Sequence, residues 1–133
     1  MALKRLDHVN VRTNRLAAMV AWYRDVLGLE PGPRPDFSFG GAWLYCDGAP
    51  IVHLVEVAKE PAAVDPKLEH FAIAGAGMAD FLAHLRALKV PYRCGEAPGF
   101  GIRQVNVWDP DRNHIHVDFT GEEAVEAADY DGS

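Results

Sequence analysis

Cysteine is scarce in this chain: two residues in 133, Cys46 and Cys94. They do not occupy matching positions of the internal repeat described below. That argues against a disulfide framework or a zinc-thiolate pair and fits free thiols in a reducing cytoplasm. Positive charge is also short, with 13 Lys and Arg against 19 Asp and Glu and a net charge of −6. Without a basic stripe to displace counterions from phosphates, nucleic-acid binding is not expected. No apolar run approaches the length of a bilayer span, so no membrane association is expected. Lys4 and Arg5 lead straight into the first expected strand, without the apolar segment of a secretory signal. A phosphate loop, a nucleophile elbow and a dinucleotide glycine pattern are all missing, and Gly99-Phe100-Gly101 alone carries no such signature.

What remains is an ordinary globular composition, 49% apolar and 24% charged. The length fits one domain, or two very small modules sharing one core. Five acidic residues (Glu122, Glu123, Glu126, Asp129 and Asp131) fall in a terminal stretch without Lys or Arg. Residues 1–121 are therefore expected to form the folded, nearly neutral domain, and residues 122–133 an acidic, flexible, solvated tail.

The chain says the same thing twice. Leu6-Asp7-His8-Val9-Asn10-Val11 returns 62 residues later as Leu68-Glu69-His70-Phe71-Ala72-Ile73, and Val52-His53-Leu54-Val55 returns after 63 as Ile115-His116-Val117-Asp118. A self-similar unit unable to close a core alone is expected to pack against its twin. Module 1 is expected over about 5–58 and module 2 over about 67–120, joined by the Lys59–Lys67 linker with its two prolines.

The first copy reads as a strand over 6–12, then a helix capped by Asn14 and ended by Gly28 at C′. Its apolar face would be Leu16, Met19, Val20, Tyr23, Val26 and Leu27. Strands follow at Phe37–Phe39, Ala42–Cys46 and Ile51–Val57, since Pro31, Pro33 and Pro35 argue against a regular central strand before them. The second copy reads as a strand over 68–74 and a helix over about 77–89 that buries Met78, Phe81, Leu82, Leu85 and Leu88. Strands near 91–95, 102–108 and 114–119 complete it. Two βαβββ units give an α+β protein with about eight strands.

Each copy holds a histidine near its start and another near its end. His8 and His70 are equivalent, as are His53 and His116, and core packing alone seldom demands the same polar residue at both related sites. Three or more of these imidazoles are expected on one metal, because neutral imidazole is the commonest protein metal ligand. A nitrogen-rich, thiol-free set suits Zn, Ni, Co, Fe or Mn alike. Strand alternation puts His114, His116 and Asp118 on one face, with Asn106 opposite His116 if Asp109–Arg112 is the turn. Trp43, Tyr45, Gln104, Asn106 and Trp108 then lie on the site side, while Glu56 points away and His84 faces solvent. His114 could serve either the site or the strand end. Arg34, on a proline-stiffened loop, offers either a bidentate clamp for carboxylate or phosphate or a surface ion pair. The expected substrate contacts are Arg34, Trp43, Tyr45, Gln104 and Asn106.

These segments resemble the vicinal oxygen chelate superfamily, the glyoxalase, bleomycin-resistance and extradiol-dioxygenase group. The likeness is carried by the Asp7-His8 and Glu69-His70 segments and by Trp22-Tyr23-Arg24-Asp25-Val26-Leu27-Gly28-Leu29. Val52-His53-Leu54 and Asp109-Pro110-Asp111-Arg112-Asn113-His114-Ile115-His116 complete it. The resemblance implies paired βαβββ modules forming a cupped mixed eight-stranded sheet around a divalent metal. Its metal positions fall here on His8, His53, His70 and His116. It also implies a small substrate chelated through adjacent oxygens, and a homodimer. The family's last metal position is usually Glu, and here it is His116. The turn has Arg112 where the family usually has Gly. An all-histidine set removes one negative charge and one general base from the metal, and Asp118 is a candidate to stand in beside it. The leading expectation is therefore a divalent-metal-dependent enzyme of glyoxalase type, with isomerase or lyase chemistry. An Fe(II) extradiol-type dioxygenase and a metal-free small-molecule binding or resistance protein are the alternatives.

Overall fold

In the computed structural model, residues 1–120 and 125–133 are described. The chain divides into two units, Met1–Val64 and Asp65–Ser133. The first unit runs β1 (Val9–Thr13), α1 (Leu16–Leu27), β2 (Glu30–Gly32), β3 (Gly41–Cys46) and β4 (Ala49–Glu56). Its sheet order is β1-β4-β3-β2, with β1 parallel to β4 and the other pairs antiparallel. The second unit runs β5 (His70–Ala74), α2 (Met78–Ala87), β6 (Arg93–Ala97), β7 (Ile102–Trp108) and β8 (His114–Thr120). Its order, β5-β8-β7-β6, repeats the first unit's pairing strand for strand. The α+β class and the duplicated βαβββ pattern expected from the sequence are both present.

In each unit the helix seals an apolar sheet face. Met19, Tyr23 and Val26 of α1 are buried, as are Leu44, Val52 and Leu54 of the first sheet. Met78, Leu82 and Leu85 of α2 are buried in the second unit, with Val105, Val107, Ile115, Val117 and Phe119. Spacings of three and four residues place each helical set on one stripe. Gly28 ends α1 at φ +72°, where a Cβ would be strained, and its N–H donates to the Arg24 carbonyl.

Four local expectations are corrected. The N-terminal turn of α1 is not capped by Asn14; the buried Thr13 hydroxyl accepts the Arg15 N–H at 2.9 Å instead. Phe37–Phe39 is a loop, and the unit's second strand is instead the short edge strand β2, where Pro31 is tolerated. The strand expected over 6–12 begins only at Val9, so His8 precedes it. Leu88 lies past the end of α2 and is exposed rather than buried.

Two turns set the strand registers that matter for the site. Asp47 and Gly48 both have positive φ, giving a two-residue hairpin that brings Cys46 opposite Ala49. In the second unit, buried Asp109 accepts the N–H groups of Asp111 and Asn113 at 2.9 Å and the Asn113 side-chain amide at 2.8 Å. That closed turn pairs Trp108 with His114 and Asn106 with His116, the register the sequence suggested.

Glu122 and Glu123 of the expected solvated tail lie outside the described residues. From Val125 onward the chain is tied to its own unit. Tyr130 and Tyr92 exchange both backbone hydrogen bonds, at 2.9 and 3.0 Å. Asp129 accepts the Cys94 N–H at 2.8 Å, and Arg103 donates to the Val125 carbonyl at 2.7 Å.

Candidate metal centre

Each unit pairs one buried imidazole on its last strand with one exposed imidazole where its first strand begins (His70) or just before it (His8). His53 is 8% exposed and His116 6%, whereas His8 and His70 are open to solvent. The pairing follows from topology, since first and last strands are parallel neighbours in both sheets. In the first unit His8 stacks on His53 with centroids 3.8 Å apart, and Trp43, paired with His53 across the β3–β4 ladder, stacks on it at 4.0 Å. In the second, His70 lies 4.3 Å from His116 and 5.2 Å from His114.

Carboxylates fix three of these rings. The Nδ1–H of His8 donates to Asp7 at 2.7 Å, that of His70 to Glu69 at 2.5 Å, and that of His116 to Asp118 at 2.5 Å. The duplication thus carries an acid next to each first-strand histidine as well as the histidine itself. A ring protonated at Nδ1 leaves the Nε2 lone pair bare, the arrangement of carboxylate–histidine–metal triads. His53 is arranged the other way round, with Nε2–H donating to the Pro50 carbonyl at 3.0 Å and Nδ1 left as its donor atom. Burial, followed by the neighbouring His8, lowers the His53 pKa below the ordinary imidazole value, which favours the neutral, ligating form. The His8 hydrogen bond lowers the Asp7 pKa, and the His70 and then the His114 hydrogen bonds lower that of Glu69, so both acids stay ionised.

A second grouping was not foreseen. Glu69, His70 and His114 each offer a ligand atom within 4.8 Å of the others. In the sequence Glu69 stands out only as the neighbour of His70, and its reach to His114, 45 residues on, has no signature in spacing. Both His114 nitrogens already face oxygens: Nδ1 faces Glu69 at 3.0 Å, and Nε2 faces the Asn106 Oδ1 at 2.8 Å. His114 can ligate only by releasing one of these bonds. Its ring also stacks on Trp108 at 5.0 Å.

The other sequence-derived residues divide. Trp43 and Arg34 line a recess in the first unit with Asn10, Phe37, Phe39 and His53. Tyr45 is drawn aside by a register shift after Leu44; its hydroxyl donates to the Pro33 carbonyl at 2.5 Å and its ring lies over Gly32. Asn106 holds His114 while donating to the Arg93 carbonyl at 3.1 Å. Gln104 pairs with Asp118 across the β7–β8 ladder.

A family model described as the Glyoxalase/Bleomycin resistance protein/Dioxygenase superfamily matches residues 5–117. The chain belongs to that superfamily. It is 31% identical over 124 residues to Glyoxylase I 4 of Arabidopsis thaliana, covering 86% of this chain and 70% of that protein. Its fold is similar to a glyoxylase/bleomycin resistance protein/dioxygenase domain from Frankia sp. EAN1pec, with a TM-score of 0.74, 18% identity, and 91% and 95% of the two chains covered. A lactoylglutathione lyase from Agrobacterium tumefaciens gives 0.69 at 19% identity over 94% and 100%. TnmS3, an antibiotic binding protein from Streptomyces sp. CB03234, gives 0.68 at 19% over 90% and 98%. Within the superfamily fold, the Arg112 departure has a visible cost: its φ is +68°, the left-handed region that glycine occupies freely.

Proposed function

We propose that this chain is a divalent-metal-dependent enzyme of glyoxalase type, acting on a small substrate with neighbouring oxygens by isomerase or lyase chemistry. Its metal donors are His8, His53, His70 and His116. The observation that carries this reading is the recurrence, in each unit, of a buried and an exposed imidazole in contact, three of the four held at Nδ1 by a carboxylate. That donor set fits Zn, Ni, Co, Fe or Mn. A divalent ion held there supplies Lewis-acid polarisation of the substrate oxygens. The protein's own part is to orient the rings. Asp7, Glu69 and Asp118 fix tautomer and direction, and they place three negative charges behind neutral ligands. Asp118 thereby returns to the site the charge lost where His116 replaces the family's Glu. Arg34, Trp43 and Asn106 are the proposed substrate contacts, with Gln104 and Tyr45 beside them. Two free thiols fit a cytoplasmic protein, and the superfamily likeness supports a homodimer.

Elemental analysis of untagged, reconstituted protein tests the metal reading. Wild type is expected to hold a stoichiometric divalent metal that a His8→Ala/His70→Ala variant loses. Wild type without stoichiometric metal would overturn it.

The Glu69, His70 and His114 grouping supports a second reading, an Fe(II) dioxygenase with two histidines and one carboxylate. Anaerobic loading with Fe(II), then catechol and oxygen, should yield yellow ring-cleavage products that His114→Ala abolishes. Unchanged turnover in that variant would exclude this donor set.

A further inference from the structure

The loop between β2 and β3 carries the guanidinium of Arg34. Among the described residues no carboxylate forms an ion pair with Arg34. Its one hydrogen bond among the described residues runs from Nη2 to the Phe39 carbonyl at 2.7 Å, which leaves most of its fork of N–H donors unused there. The same guanidinium lies 5.0 Å from the Phe37 ring centroid and 5.4 Å from that of Phe39. Phe37 and Phe39 are 41% and 46% exposed, yet they stack on each other at 4.9 Å, and Phe37 meets Trp43 at 6.4 Å with the two rings tilted by 52°. Trp43 in turn stacks on His53.

A ladder of aromatic faces therefore runs along the first sheet and out to the loop, with a cation fixed over its outer end. Gly41 makes room for this: a Cβ there would fall 2.2 Å from the Leu54 carbonyl oxygen and 3.1 Å from the Arg34 Nη2. The recess that these groups line has a volume of about 90 Å³, enough for one ring or part of one, with its remainder in solvent. A buried packing role would hide the two phenyl rings and pair the arginine. Neither is the case here.

We infer that this recess recognises an aryl carboxylate: a planar ring laid against Phe37 and Trp43, with its carboxylate held by the free donors of Arg34. Exposed aromatic faces favour a flat, polarisable partner over an aliphatic one, and a planar guanidinium fork matches a carboxylate bidentately. The inference rests on the proposed function in one respect, since Trp43 stacks on His53, a proposed metal donor, so the ring would lie beside the proposed metal.

Metal-free protein titrated with benzoate, followed by the Trp43 indole and Arg34 Nε–H resonances, tests the recess apart from the metal. Benzoate is expected to bind at least tenfold more tightly than benzamide or cyclohexanecarboxylate. Arg34→Gln should cost benzoate at least tenfold while leaving benzamide unchanged. Because Arg34 also holds the Phe39 carbonyl, Phe37→Leu serves as the second variant. It keeps the arginine and its bond, and should erase the preference for benzoate over cyclohexanecarboxylate. Equal binding of acid and amide, equal binding of the aromatic and saturated acids, or no benzoate binding at all would overturn the inference. A parallel metal titration keeps the failures distinct: metal uptake without benzoate binding sinks only the recess, and benzoate binding without metal uptake sinks only the metal reading.

Discussion

Arg112 holds a backbone conformation that its side chain disfavours, at φ +68° in the turn whose other members are anchored on Asp109. A Cβ in that region costs about 1 kcal/mol, partly offset by the extra unfolded-state freedom of glycine. Arg112→Gly is therefore expected to raise stability by about 0.5–1 kcal/mol, read as a higher urea midpoint at unchanged slope. A second residue-scale prediction concerns Asp118, whose carboxylate holds the His116 ring. Asp118→Asn should weaken metal affinity about 10–100-fold in a chelator competition, the usual effect of removing such a partner. Undiminished affinity would show that Asp118 plays no part in orienting the ring. The four histidines were legible because duplication placed each where its twin implied. The Asp7 and Glu69 contacts were not read, although both acids repeat with their histidines. Glu69 to His114 was beyond reading, because it joins residues 45 positions apart, only one of which lies in a strand.

At the scale of elements, the repeat exposed both helices and seven of the eight strands, since apolar periodicity survives in amphipathic pieces. The first three-residue strand was missed because two of its three residues, Pro31 and Gly32, carry no strand signal, and only an edge position tolerates them. Phe37 and Phe39 invited the opposite error: alternation suggested a strand where the structure has an aromatic loop. Acidic composition likewise argued for solvation of a tail whose described part carries Asp129 to the Cys94 backbone. Burial, and then the Asp129 charge, raise the Cys94 thiol pKa, leaving little thiolate near neutral pH. In a Cys46→Ser background, iodoacetamide should thus modify Cys94 more slowly than a free cysteine peptide at pH 8. Asp129→Asn should speed the reaction, by removing the charge and loosening the segment. Mass spectrometry follows both rates, and an unchanged rate in the variant would mean that Asp129 does not govern the thiol.

For the molecule as a whole, two βαβββ units were foreseen from sequence self-similarity, and the family match over residues 5–117 agrees with them. No helix among the described residues is long and apolar enough to cross a membrane. The two proposed chemistries differ in which rings would hold a metal, and an anomalous-difference map from crystals of untagged, Co(II)-reconstituted protein reads that directly. The account predicts a cobalt peak bonded to the imidazoles of His8, His53, His70 and His116, with Asp7, Glu69 and Asp118 behind them. A peak held by Glu69 and His114 instead, or no peak at these rings, would contradict it.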